Sequence, residues 1–170
     1  MQVANNMDSL ILKIKNWQLF PILIIGGILL NMQVEDNVDL TVALRIVGVI
    51  IYFGWMLWLG SELHSLDGTS VSNKGFFQFN GILIIGFFSI GMVINDGNDF
   101  QVNGIAALPF FYLFYAVINV LKFPAKRMRS IELGRKASFG DYWGLFFMFI
   151  FWPIGVWFIQ ARVNKLMPEK

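Results

Sequence analysis

The sequence contains no cysteine, a single histidine and few charged residues. The missing cysteines exclude disulfides, thiolate nucleophiles and cysteine-based zinc sites. Charged residues make up 14% of the 170-residue chain, whereas soluble domains carry roughly 25%. Hydrophobic residues reach 56%, with 18 phenylalanines, and a soluble chain of this size could not bury so much apolar surface. The composition therefore predicts a polytopic membrane protein that forms one domain.

Five stretches are long enough to cross the hydrocarbon core of a bilayer, for which a helix needs roughly 20 residues. Arg45 is the one charged side chain inside them. The predicted spans are residues 16–34, 40–60, 75–95 and 100–121, and a fifth apolar segment covers residues 142–161. The expected fold is an all-α membrane bundle of four transmembrane helices with a proline-broken fifth segment.

The charges between these spans differ in sign. Two connections carry acidic residues only, namely Glu35, Asp36 and Asp39, and then Asp96 and Asp99. Basic residues lie in the connection 122–136 and before the first span, at Lys13 and Lys15. The first span is too long for a signal peptide, so we expect it to be retained. The positive-inside rule then predicts a cytoplasmic N-terminus and a cytoplasmic basic connection.

Residues 22–40 and 82–100 align without a gap and share the letters ILIIG, a methionine and two aspartates. An offset of 60 residues covers two spans, so both copies of a duplicated unit would cross the membrane in the same direction. The alignment favours two similar helical hairpins related by an axis along the membrane normal. Chance similarity between two apolar segments is the alternative.

The fifth segment allows two arrangements. Ser138 and Asp141 have the spacing of a capping box, which predicts that a helix begins between them. Pro153 later removes a backbone donor, and Gly155 weakens the helix further. Either a kinked helix crosses the membrane, or the chain turns at the proline and returns to the cytoplasmic side. Charge favours the return, because it leaves every Lys and Arg except Arg45 on one side.

The end of the chain contains the stretch SIELGRKASFGDYWG followed by FWPIGVWFIQARVNK. It resembles the C-terminal signature of a family of small, uncharacterised, multi-pass bacterial membrane proteins, in which an aromatic–Pro–Ile–Gly–x–Trp–Phe–x–Gln core precedes an Arg and an Asn. The matching positions include Trp152, Pro153, Gly155, Trp157, Gln160, Arg162 and Asn164. The resemblance covers roughly the last 40 residues. It implies a protein of the bacterial cytoplasmic (inner) membrane and implies no activity.

Four basic residues are candidates for contact with lipids or other anions. Arg45 lies near the outer end of the second span, where it can snorkel to the surface or meet an anion in a cavity. Lys126, Arg127 and Arg129 belong to the basic connection. Each basic residue near an anionic lipid surface is worth roughly 1 kcal/mol.

Glu62, His64 and Asp67 form the one spacing that could offer ligands to a metal. A histidine near a membrane interface is more often solvated or a helix cap, so we expect no metal. We also expect no cofactor.

The sequence argues against catalysis and against ion-coupled transport. No Asp or Glu lies inside a predicted span, where a coupling site would need one. An enzyme would have to use Glu62, His64 or Asp141, and their spacing matches no catalytic arrangement. No basic and aromatic interleaving indicates nucleic-acid binding. We expect a non-enzymatic membrane protein that acts through membrane lipids, a protein partner or a homo-oligomer. The alternative is a small oligomeric passive channel or carrier.

Overall fold

The structure is a computed structural model that describes residues 13–68, 73–96 and 104–166. Within these ranges the chain forms helices and no strand, which confirms the all-α class. The six α-helices are α1 (Asn16–Asn31), α2 (Val38–Leu66), α3 (Lys74–Ile94), α4 (Leu108–Leu133), α5 (Phe139–Ile150) and α6 (Trp152–Lys165). A 3-10 turn at Gly104–Ala107 precedes α4.

Three helices, α2, α3 and α4, are long and apolar enough to cross a membrane. Helix α1 has 16 residues and α5 has 12. At 1.5 Å per residue they extend roughly 24 and 18 Å, less than the roughly 30 Å of bilayer hydrocarbon. By length and composition, three of the four predicted spans correspond to helices that could cross a membrane. The chain is therefore membrane-embedded.

The basic connection predicted at 122–136 is largely helical. Helix α4 begins at Leu108 instead of residue 100, with a proline in its first turn, where a backbone donor is not needed. It then continues through Pro124 to Leu133. The second half of α4 therefore carries four of the six basic residues of this connection. Their side chains lie on different sides of the helix, since Arg127 is buried and Lys122 is exposed. Helix α2 likewise extends beyond its predicted end, to Leu66.

The two aligned segments share one backbone feature. Asp36 and Asp96 occupy matched positions, and both have left-handed φ angles, of 61° and 50°. They are the two non-glycine residues in the described ranges with positive φ, a conformation that aspartate tolerates because its short side chain can hydrogen-bond locally. Asp99 lies outside the described residues. The duplication of a whole hairpin stays a prediction.

Helix α2 lies at the centre of the bundle. It packs against α1, α3 and α4, while α4 also contacts α3 and α5, and α6 contacts α5 and α1. The core contains fully buried side chains from several helices, among them Met56, Leu59, Leu63, Phe77, Ile84, Val120, Phe149 and Ile159. Helices α1 and α2 pack closely at Gly26 and Gly48, where a Cβ on Gly48 would lie 2.6 Å from the Gly26 carbonyl oxygen.

Large apolar side chains also cover the outside of the bundle. Every helix carries some of them, for example Ile25, Ile50, Ile82, Phe111, Trp143 and Ile154. Soluble monomers rarely expose contiguous apolar patches beyond a few hundred Å². The outer surface therefore fits hydrocarbon surroundings.

Candidate functional site

Helices α5 and α6 form a hairpin whose open ends both lie beside the end of α4. At the start of α5, Asp141 Oδ2 lies 3.1 Å from Arg135 Nη1. At the end of α6, Arg162 Nη1 lies 3.7 Å from Glu132 Oε1. The chain therefore turns back at the break between the two helices, and its return to the cytoplasmic side stays a prediction.

The start of this hairpin has the predicted capping box. The Ser138 N–H and hydroxyl both donate to Asp141 Oδ2, at 2.8 and 2.7 Å. Hydrogen bonds from Ser138 and Arg135 lower the pKa of Asp141 from 3.8 to about 2. The first turn of α5 is thus fixed at the place where the chain leaves α4.

The break between α5 and α6 is stabilised by a residue from α2. Pro153 has no N–H, so the carbonyl oxygen of Phe149, four residues earlier, loses its helical partner. The hydroxyl of Tyr52 donates to this oxygen at 3.1 Å. Gly155 completes the break, because a Cβ there would collide with the carbonyl oxygen of Met148. The pairing of Tyr52 with this oxygen was not predicted, although a proline in an apolar helix signals that an outside donor is needed.

The residues at the C-terminal end of the chain attach α6 to α1 and α2. The Trp152 ring lies 5.8 Å from that of Tyr52, and the Trp157 ring 5.1 Å from that of Phe20. The buried Gln160 side chain donates to the Ile14 carbonyl oxygen at 2.7 Å and to Asn164 Oδ1 at 3.1 Å. These contacts give the signature residues a structural role in holding the hairpin against the bundle.

A buried ion pair joins the ends of α2 and α4. Arg127 Nη1 donates to Asp67 Oδ2 at 2.7 Å, and the two side chains are 2% and 0% exposed. The Arg127 guanidinium also lies 4.9 Å from the centre of the Phe123 ring, which stacks on Phe77 at 4.1 Å. Arg127 is therefore turned into the core of the bundle. This pair was not predicted from the sequence. Its members are 60 positions apart, which is also the offset between the two aligned segments.

The other predicted contact residues lie closer to the surface. Arg45 Nε donates to the Met32 carbonyl oxygen at the end of α1, 3.1 Å away. Lys126 is half-buried. Arg129 Nη1 donates to Glu132 Oε2 at 2.7 Å, and the Arg129 side chain is 33% exposed. Contact with lipid headgroups stays a prediction for these three residues.

Glu62, His64 and Asp67 do not form a metal site. The described residues contain no group of three His, Asp or Glu side chains close enough to hold an ion. Asp67 is instead paired with Arg127, and the His64 ring lies 6.0 Å from that of Phe123.

A cavity of about 460 Å³ lies over the turn of the hairpin. Its walls come from α1 to α4, and Ile150 and Trp152 of the hairpin form its base. Apolar side chains dominate the lining. The hydroxyl of Tyr52, which also lines the cavity, is engaged with Phe149. Such a space suits hydrocarbon better than water, which needs two to four polar partners.

Comparison of the chain with protein-family models, curated proteins and solved structures finds no match.

Proposed function

We propose that the chain is a non-enzymatic, multi-pass protein of the bacterial cytoplasmic membrane that acts through contacts with lipids or partner proteins. Helices α1 to α4 would cross the membrane as two similar hairpins. The α5–α6 hairpin would enter from the cytoplasmic side and return there. The observation that carries this proposal is the apolar outer surface on all six helices, combined with polar groups that are engaged with one another inside.

The interior polar groups support a structural role over a catalytic one. Tyr112 donates to Asn80 Oδ1 at 3.0 Å, and Asn80 Nδ2 donates to Asn119 Oδ1 at 3.2 Å, which joins α3 to α4. Asp67 is held by Arg127. Interhelical hydrogen bonds of this kind stabilise membrane bundles by about 1 kcal/mol each.

The charges support a cytoplasmic N-terminus. The start of α1, the end of α4 and both ends of the hairpin lie together, as the contacts of Gln160 and Arg162 indicate. Lysines and arginines concentrate at this end. The opposite end carries the acidic connection that contains Glu35 and Asp36. The positive-inside rule assigns the basic end to the cytoplasm.

Cysteine labelling tests this orientation, because the natural chain has no cysteine. Lys136→Cys, Lys165→Cys and Glu35→Cys each alter an exposed residue. An impermeant thiol reagent applied to intact cells should label the variant at position 35 and spare the other two until the cells are lysed. Labelling at position 165 in intact cells would show that the last segment crosses the membrane.

Reconstitution tests the function. The core is packed with fully buried side chains such as Met56, Leu59 and Phe77, so a passive channel would have to form between copies. Liposomes that contain the protein should retain small ions and neutral solutes, and native mass spectrometry in mild detergent should show retained lipid or a stable partner. Solute flux that scales with the amount of oligomer would replace our proposal with the channel alternative.

A further inference from the structure

A small charged pocket lies at the open end of the α5–α6 hairpin. It has a volume of about 240 Å³, and Arg129, Arg162, Asp141 and Trp143 are among its lining residues. Glu132 lies between the two arginines, 2.7 Å from Arg129 Nη1 and 3.7 Å from Arg162 Nη1. Arg129 Nε has no hydrogen-bond partner in the structure. One carboxylate therefore orients two guanidinium groups and neutralises only one of their charges.

The second carboxylate at the pocket is already compensated. Asp141 accepts hydrogen bonds from Ser138 and from both terminal nitrogens of Arg135, at 3.1 and 3.3 Å. With Arg135 included, three arginines face two carboxylates. The pocket therefore keeps a net positive charge, which favours an anion.

An apolar groove continues directly from this pocket along the outside of the hairpin. The groove has a volume of about 310 Å³ and shares Gly144 and Met148 with the pocket. The exposed side chains of Phe147, Phe151, Ile154 and Phe158 form its walls. Trp143, at the pocket end, is 56% exposed, as is typical of tryptophan at a membrane interface. A positively charged pocket at one end and an apolar groove along the rest match the headgroup and acyl chain of an amphiphile.

We infer that this continuous surface binds one anionic phospholipid. Its phosphate lies at Arg129 and Arg162, and one acyl chain lies along the groove between α5 and α6. Arginine suits a phosphate because its planar donors can contact two oxygens at once. This inference rests on the proposed function, since it names the lipid contact through which the protein acts.

Native mass spectrometry of the purified full chain in a neutral detergent tests the inference. The probes are phosphatidylglycerol and phosphatidylcholine with identical acyl chains, added separately, and inorganic phosphate as a third addition. We expect phosphatidylglycerol to bind preferentially. Because each basic residue near an anionic lipid contributes roughly 1 kcal/mol, Arg162→Gln should weaken that binding about fivefold.

Two further variants separate the pocket from the groove. Lys136→Gln removes the same charge from an exposed side chain that does not line the pocket, so it should leave the lipid preference nearly unchanged. Gly144→Leu alters no charge, and a Cβ at this glycine meets no atom within 4 Å. Its longer side chain should fill the groove and weaken binding of both lipids. Circular dichroism of each variant checks that the helices are retained.

Three results would overturn the inference. Equal binding of the two lipids would remove the preference for negative charge. Equal losses in Arg162→Gln and Lys136→Gln would indicate general surface attraction. Stabilisation by inorganic phosphate equal to that by phosphatidylglycerol, with no effect of Gly144→Leu, would indicate a free-anion site. Each of these leaves the proposed function standing, provided that the liposomes still retain solutes.

Discussion

Arg127 and Asp67 form an ion pair of 2.7 Å in which neither side chain is more than 2% exposed. The pair connects the second-last turn of α4 to Asp67, the C-cap residue that follows α2. Two charges withdrawn from water stabilise a fold only while both are present, because either one alone is left without compensation.

Removing one member of this pair should therefore be costly. Arg127→Leu should lower the free energy of unfolding by about 3–5 kcal/mol, measured by denaturant titration in detergent micelles. The double variant Asp67→Leu/Arg127→Leu should lose less, because no buried charge remains. Arg135→Leu is the control, since its pair with Asp141 is exposed and such pairs contribute about 0–1 kcal/mol. Equal losses in the single and double variants would contradict this account.

The Tyr52 hydroxyl should matter because Pro153 is present. Tyr52→Phe leaves the Phe149 carbonyl without its donor, which should cost about 1–3 kcal/mol in unfolding free energy. Pro153→Ala supplies a backbone N–H at that position, so Tyr52→Phe should cost less in this background. Tyr115→Phe, at a ring that is 50% exposed, controls for loss of a hydroxyl. If Tyr52→Phe lowers the free energy of unfolding equally in both backgrounds, the Tyr52 hydroxyl does not compensate for the N–H that Pro153 lacks.

Gly155 should tolerate no side chain. Gly155→Ala places a Cβ against the Met148 carbonyl oxygen, so α5 and α6 must move apart, at a cost of about 1–3 kcal/mol. Gly54→Ala is a matched control within a helix, because a Cβ there meets nothing within 4 Å. Alanine is the better helix former by about 1 kcal/mol, so this control should be neutral or stabilising. Thermal unfolding of both variants measures the difference. Equal midpoints would show that Gly155 tolerates a side chain as well as Gly54 does.

The Asp141 cap should make stability depend on acid pH. Its pKa is lowered to about 2 in the folded chain by Ser138 and Arg135, so its contribution is complete above about pH 4, near the ordinary pKa of aspartate. That contribution is lost as the pH falls from about 4 to 2. The wild-type chain should lose more thermal stability over this range than Asp141→Asn. If the thermal stability of the two proteins falls in parallel as the pH is lowered, the Asp141 cap is not the cause of the pH dependence.

Local signals in the sequence predicted local structure well. The spacing of Ser138 and Asp141 predicted the start of α5, and Pro153 with Gly155 predicted the break that follows. Periodicity and charge also predicted the helical class. These features depend on residues within one or two helical turns, so a single sequence contains them.

Features that depend on distant contacts were not predicted. A proline is unfavourable inside a helix, yet α4 continues through Pro124, because packing on α2, α3 and α5 outweighs one missing hydrogen bond. The burial of Arg127 was not predicted either, because a residue in a loop and a residue on the inner face of a helix look alike in sequence. The contact of Gln160 with Ile14 spans 146 positions, and no local pattern indicates it.

If the proposed arrangement holds, the short hairpin would also make the molecule wider in one leaflet than in the other. In the proposed arrangement, α5 and α6 reach roughly 18 Å into the bilayer, so the described part of the chain is six helices wide in the cytoplasmic leaflet and four in the other. A body of this shape displaces unequal areas from the two monolayers. Such a difference is relieved where the bilayer bends, so the protein should concentrate in curved regions of the membrane over flat ones.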